Sequence, residues 1–119
     1  METSNSKMFV VVRADLPAGA QAAQACHALV AFGIAHPELV RAWHDDSNNL
    51  VVLAAPDRAG LEQVYDRAAC ERGVAVTRFH EPDFDGALTA VALHGSTAHK
   101  LVSSLPLALR PARLASAAA

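Results

Sequence analysis

Two cysteines, Cys26 and Cys70, are all that the 119-residue chain contains. At most one disulfide is possible. Each lies in a segment expected to be helical. Reduced thiols in a cytosolic protein are the expectation, with Cys26 serving as a small buried apolar residue. Aromatic residues make up only 5%, too few for a platform on which nucleic-acid bases stack. Charge is sparse as well. Charged residues are 18% of the chain, ten basic against twelve acidic, for a net charge of −2. A protein that coats nucleic acid non-specifically is normally more basic. Any RNA contact is expected to be local and weak, made by a few side chains such as Arg13, Arg41 and Lys100. There is no block of five like charges and no polybasic tail. The first apolar run, Met8 to Val12, is far too short for a signal-peptide core or a membrane span. The expectation is a soluble cytoplasmic protein with no membrane partner.

What the chain has is small and branched aliphatics. Hydrophobic residues are 52%, largely alanine, valine and leucine, which argues for a packed globule rather than disorder. The length suits one domain spanning 1–119, with a core over about 7–110. Met8 to Val12 reads as a strand buried on both faces. Arg13 to Gly19 reads as a loop punctuated by Pro17 and Gly19. A helix is predicted from Ala20 to about His36, with Ala23, Cys26, Val30 and Ile34 near helical spacing. Pro37 is placed to begin a short second helix running to about Trp43. His44 to Asn49 reads as a polar turn.

Leu50 to Ala55 is a second strand. Asp57 caps a third helix over about Arg58 to Arg72, with Gly73 as its C-terminal glycine. Val74 to Phe79 is a third strand, His80 to Gly86 an acidic loop, and Leu88 to Leu93 a fourth strand. Ser96 caps a last helix over about Thr97 to Ser104. From Leu105 the chain is proline-interrupted, and it ends in Ala-Ser-Ala-Ala-Ala, which is expected to fray. The order β-α-α-β-α-β-β-α predicts an α/β fold, a three-layer α/β/α arrangement around a four-stranded mixed sheet. The connection between the last two strands is the one place where an antiparallel neighbour is expected.

Chemistry concentrates between Arg13 and His27. Gln24 and His27 are three apart, so a helix puts them on one face. Gln24 offers an amide donor and an acceptor, and histidine is the side chain that exchanges protons near neutrality. The loop bearing Gly19 leaves free backbone N–H groups at the helix start, which suit an anion or a developing oxyanion. Arg13 and Asp15 stand at the exit of the first strand, where open α/β sheets commonly hold ligands. A glutamine and a histidine on an alanine-rich helix are also common as structural or surface residues, and Asp15 also suits a turn or cap.

A second cluster is Glu81, Asp83 and Asp85. Neighbouring carboxylates can raise one another's pKa and supply a base, or they can form a solvated loop. A calcium loop is excluded, because the sixth position counted from Asp83 is Leu88 where glycine is needed. Cys26 and His27 are adjacent on the helix and point apart, which excludes them as a nucleophile–base pair. The six histidines are scattered without zinc spacing.

The run Lys7 to Leu16, ending in Arg13-Ala14-Asp15-Leu16, followed by Gly19 and by Ala22-Ala23-Gln24-Ala25-Cys26-His27-Ala28, resembles the opening of the type 2 peptidyl-tRNA hydrolases. Ala55-Pro56-Asp57, the acidic loop and Thr89 follow in that family's order, so the likeness covers about 7–110. The Pro17-Ala18-Gly19 loop, Gln24-Ala25-Cys26-His27-Ala28 and the shortened acidic loop are most similar to the branch of peptidyl-tRNA hydrolase domain-containing proteins. The resemblance implies a hydrolase without metal or cofactor that cleaves the ester between a peptide and the terminal ribose of tRNA. It implies that His27 and an acidic residue, Glu81 first and Asp83 second, position and activate water. Gln24 and Thr89 would orient groups around the ester, and Arg13, Asp15 and Gly19 would shape the substrate site. The chain departs from the family at Ala20, where a lysine is usual, and in a loop two residues shorter. A weak or inactive relative that binds RNA or a protein is the alternative; hydrolysis of another small ester or amide is a third reading. The apolar helices also suit a homodimer.

Overall fold

The computed structural model describes residues 6–110. Strand β1 is Lys7–Arg13 and strand β2 is Asn49–Ala55; helices α1, Ala18–Ala35, and α2, Pro37–Asp46, lie between them in sequence. Helix α3, Arg58–Ala69, strand β3, Val74–Glu81, a 3₁₀ turn at Pro82–Phe84, strand β4, Ala87–Gly95, and helix α4, Ala98–Val102, complete the order. The sheet runs β2-β1-β4-β3. β1 and β2 are parallel; β4 is antiparallel to β3 as expected and, because it inserts between β3 and β1, antiparallel to β1 as well, which was not expected. The fold is the α/β class with a mixed four-stranded sheet that the residue pattern predicts.

The unbroken apolar run of β1 follows from its place inside the sheet. Met8, Val10 and Val12 pack with Ala25, Ala28, Phe32 and Trp43 on the α1/α2 side. Phe9 and Val11 pack with Leu61, Val64 and Val102 on the α3/α4 side. Phe32 is fully buried and pins α1 to the sheet; truncation to alanine at such a site costs about 3–5 kcal/mol. Asp57 caps α3 as its position suggests, its carboxylate accepting from Gly60 N at 2.9 Å.

Several boundaries move, for local reasons. α1 starts two residues early: Gly19 lies in its first turn, and Gln21 N donates to Pro17 O at 2.9 Å. Its buried face is Gln21, Gln24, Ala25, Ala28 and Phe32. Val30 and Ile34 instead face outward, 62% and 78% exposed, and Cys26 is exposed rather than buried. The helical period of the apolar residues was legible; the polar glutamines disguised which face the sheet takes.

α2 extends through His44-Asp45-Asp46, expected as a turn. It is held by the Arg41–Asp45 pair at 3.2 Å and by Trp43 Nε1 donating to Asn49 O at 3.0 Å. α3 ends at Ala69, short of Arg72, and Gly73 at φ +84° turns the chain into β3. Gly95 tolerates no side chain, because a Cβ there would collide with the Gly73 carbonyl. α4 is shorter than predicted, and Ser96 does not cap it: Thr97 takes the cap position, its hydroxyl turned to Glu71 at 3.2 Å.

β3 continues through His80 and Glu81, which were expected in the loop. The proline-interrupted segment from Leu105 is tied to β2. Ala54 N donates to Pro106 O and Ala108 N to Val52 O, both at 2.9 Å, so it lies along the outer edge of β2. The terminal Ala-Ser-Ala-Ala-Ala falls outside the described residues.

Candidate active site

The register of β3 against β4 shifts between Phe79 and His80: Phe79 faces Ala90, and His80 faces Leu88. Thr89 is the extra residue, a β-bulge of the kind that re-aims a side chain. Leu88 packs in the α3/α4 core and Ala90 in the α1/α2 core, and Thr89 turns to α1 with Ala90. There its hydroxyl donates to Gln24 Oε1 at 2.6 Å. Gln24 Nε2 donates to Glu81 Oε1 at 2.8 Å. The second carboxylate oxygen, Glu81 Oε2, accepts from Asp83 N at 3.1 Å. Gln24, Glu81 and Thr89 are all buried. Side chains from α1, β3 and β4 thus meet in one relay, and the side-chain oxygens and nitrogen of Gln24, Glu81 and Thr89 all have partners.

His27 stands one turn further along α1. Its exposed ring stacks on Phe79, centroids 4.8 Å apart and planes at 22°. Gln24 to Glu81 and His27 to Phe79 are successive rungs between helix and strand, three residues apart on α1 and two on β3. The Gln24 amide, the Asp83 N–H and the nearby charge of His27 hold the Glu81 carboxyl below the usual carboxylate range. Glu81 is therefore ionised at neutral pH and is a weak base.

Arg13 and Asp15 flank this relay. Arg13 Nε and a terminal nitrogen both bond the Asp15 carboxylate, each at 2.9 Å. The other terminal nitrogen of Arg13 donates to Leu88 O at 3.2 Å, beside the bulged Thr89. The Asp15 carboxylate raises the Arg13 pKa by that bidentate bond, and the guanidinium lowers that of Asp15. Asp83 is exposed and engages Glu81 through its backbone. A Cβ built on Gly19 meets nothing within 4 Å, so this backbone is open to approach. Pro17 supplies no side-chain cap to α1, which leaves the first N–H groups of the helix unpaired by a cap.

Two contributors were missed from sequence. Phe79 becomes visible once β3 is carried through Glu81, since period two puts both on one face. Gln21 shares the buried face with Gln24: its Nε2 donates to Leu16 O at 2.8 Å, and its Oε1 accepts from Leu109 N at 3.1 Å. It fixes the loop ahead of α1. A cleft of about 460 Å³ bounded by Lys7, Phe9, His94 and His99 lies at the other end of β1 and β4 from this relay. Among the described residues no group of three or more His, Cys, Asp or Glu is arranged to share a metal ion, and no helix is long and apolar enough to cross a membrane.

A histidine, an ionised carboxylate and an amide relay are thus gathered at one end of the mixed sheet, and these are residue types that hydrolysis can use. The comparison with protein families narrows this: the family described as peptidyl-tRNA hydrolase PTH2 matches residues 6–108. The chain belongs to that family, whose members are hydrolases acting on ester bonds. The comparison with curated proteins finds no match.

Proposed function

We propose that the chain cleaves the ester joining a peptide to the terminal ribose of tRNA, with His27 moving the proton. The observation that carries this reading is the exposed imidazole of His27 one helical turn from Gln24, which holds an ionised Glu81 whose second oxygen accepts from Asp83 N. Water gives a proton to the imidazole as its oxygen attacks the ester carbon. Collapse of the tetrahedral intermediate expels the ribose oxygen, which takes the proton back from the imidazolium. The products are a free peptide acid and a tRNA hydroxyl, and the scheme uses no metal or cofactor. Glu81 stabilises the imidazolium by its charge. Gln24 and Thr89 are buried, so we place their contribution in holding Glu81. Asp83 carries the N–H that fixes the second oxygen and lines the mouth with its carboxylate. Arg13 and Asp15 wall the site on the β1 side.

Gly19 is eight residues from His27, about 12 Å along a helix. The open backbone at the start of α1 is too far away to act on the same oxygen. We assign it to a phosphate of the terminal nucleotides, which helix N-termini favour. Any cytoplasmic tRNA carrying a stranded peptide then fits as substrate. We also infer that two copies pair through the outer face of α1: Ala18–Ala35 contains no Asp, Glu, Lys or Arg, and Val30 and Ile34 stand exposed on it. Light scattering would return twice the chain mass.

Purified protein incubated with N-acetyl-aminoacyl-tRNA tests the activity. Cleavage that survives a chelator and disappears in His27→Ala supports it. A second reading, a relative that binds tRNA without cleaving it, is favoured by Ala20 in place of the family's lysine and by the net charge of −2. Binding without product release would select it.

A further inference from the structure

The two edges of the sheet differ. The outer edge of β2 is occupied by the segment around Leu107, which bridges Leu53. β3 is the opposite edge, and among the described residues no strand pairs with its outer side. Eight residues long, it presents a row of unpaired backbone N–H and C=O groups, on alternate residues. Proteins commonly blunt such an edge with a charged side chain, a bulge or a proline. Here those devices are directed elsewhere. Arg78, in mid-strand, lies over the Tyr65 ring of α3, 4.5 Å from its centroid. The bulge re-aims Thr89 on β4, and Pro82 comes only after the strand ends.

The open edge also leads into the site. Phe79, stacked on His27, and Glu81, bonded to Gln24, are residues of β3 itself.

Resting on the hydrolase reading above, we infer that β3 takes the peptide part of the substrate as an added strand, its ester end beside Glu81 and its N-terminal end toward Val74. The peptide then runs parallel to β3. Four residues of an extended peptide cover about 13 Å, which reaches from Glu81 to about Thr77. Backbone pairing suits the substrate class, because every peptide has the same backbone whatever its side chains. The edge thus supplies affinity that grows with peptide length and ignores sequence.

The test compares single-turnover hydrolysis of N-acetyl-alanyl-tRNA with that of N-acetyl-oligoalanyl-tRNAs carrying two to six residues. The expected result is a rise in kcat/KM of about tenfold by the fourth or fifth residue, the size of a few backbone hydrogen bonds. Alternating N-methylation of the peptide should abolish the rise, and exchanging alanine for serine or valine should leave it. A rate independent of length, or indifferent to N-methylation, overturns the inference while leaving the hydrolase reading intact. A second arm uses a non-hydrolysable pentaalanyl-3′-amino-adenosine and follows amide hydrogen exchange. Slowed exchange confined to Val74–Glu81 supports the edge, and unchanged exchange there overturns it. That arm decides the matter even if no ester is cleaved, an outcome that would remove the hydrolase reading alone.

Discussion

Gln24 and Glu81, 57 residues apart in sequence, are joined by a buried 2.8 Å hydrogen bond, which fixes the carboxylate's position and is the largest cause of its lowered pKa. A charged acceptor takes up one amide proton, and the amide's own acceptor is satisfied by Thr89. The relay orients Gln24 unambiguously, since a flipped amide would turn its oxygen toward the carboxylate.

Replacing Gln24 by leucine should raise the Glu81 pKa toward its ordinary value, 4.5, or above, because the largest cause of its depression is gone. A depressed carboxyl contributes stability that is present above pH 4.5 and is lost as pH falls through the lower folded value. The wild-type protein should therefore lose stability in that acid window, and Gln24→Leu should lose less of it. Thermal melts from pH 7 to pH 3 check the sign. In the same variant kcat/KM should fall roughly ten- to hundredfold, the rate equivalent of a charge-assisted hydrogen bond.

His27→Ala should reduce kcat by roughly 10²- to 10⁴-fold, the usual contribution of a positioned acid–base group. The ring is exposed, and its described contact is the stack on Phe79, so stability should fall by only about 1 kcal/mol. Urea unfolding alongside the kinetics separates the two effects. A severe loss of stability with proportionate loss of activity would mean that His27 is structural.

The sheet was legible because its signal is local: Met8–Val12 and Leu50–Ala55 are unbroken aliphatic runs, and helical segments between strands force crossovers. The residues Gln24, His27, Glu81 and Thr89 were also legible by type and order. Their mutual geometry was not. It depends on a one-residue bulge at Thr89, and a bulge is a property of two strands in register, which no single segment displays. The orientation of α1 was misleading for a related reason. Its outward residues are as apolar as its inward ones, so period alone did not say that Gln21 and Gln24 would be buried and Val30 and Ile34 exposed. What decides it is tertiary: the glutamines find partners at Leu16, Leu109, Glu81 and Thr89.

The same outward turn puts Cys26 in solvent, and Cys70 is exposed beyond the end of α3. Both thiols should therefore react with a thiol reagent in the native state, with a stoichiometry near two before any denaturant is added. If two copies pair through α1, Cys26 should react more slowly at high protein concentration while Cys70 keeps its rate.

Gly19→Ala separates fold from function at the start of α1. Gly19 is helical, its φ lies outside the left-handed region, and a Cβ there meets nothing within 4 Å. Alanine in a helix is preferred over glycine by about 0.5–1 kcal/mol, so the variant should be slightly more stable. If the open backbone receives a phosphate, the added methyl should raise KM for the tRNA ester severalfold while kcat changes little. An unchanged KM would remove Gly19 from the substrate site.

Ala20→Lys examines the departure from the family most directly. Ala20 lies in the first turn of α1 beside Gly19, where N–H groups that no side chain caps favour an anion. The chain carries ten basic residues against twelve acidic, so tRNA binding should be weak and should fall shallowly with salt. Each neutralised phosphate contributes about −0.7 to the slope of log K against log salt for a single strand, and two to four contacts are expected. A lysine at position 20 should add one contact. Affinity should rise at low salt, and the slope should steepen by about 0.7, with the gain fading as salt increases. The acceptor end alone, supplied as a short CCA-terminated oligonucleotide, should reproduce most of the change, because the contact lies within about 12 Å of His27 along the helix. A titration series in both proteins from low to high salt measures this. Identical slopes would show that no phosphate reaches the start of α1, and the anion would then have to be sought at Arg41 or Lys100.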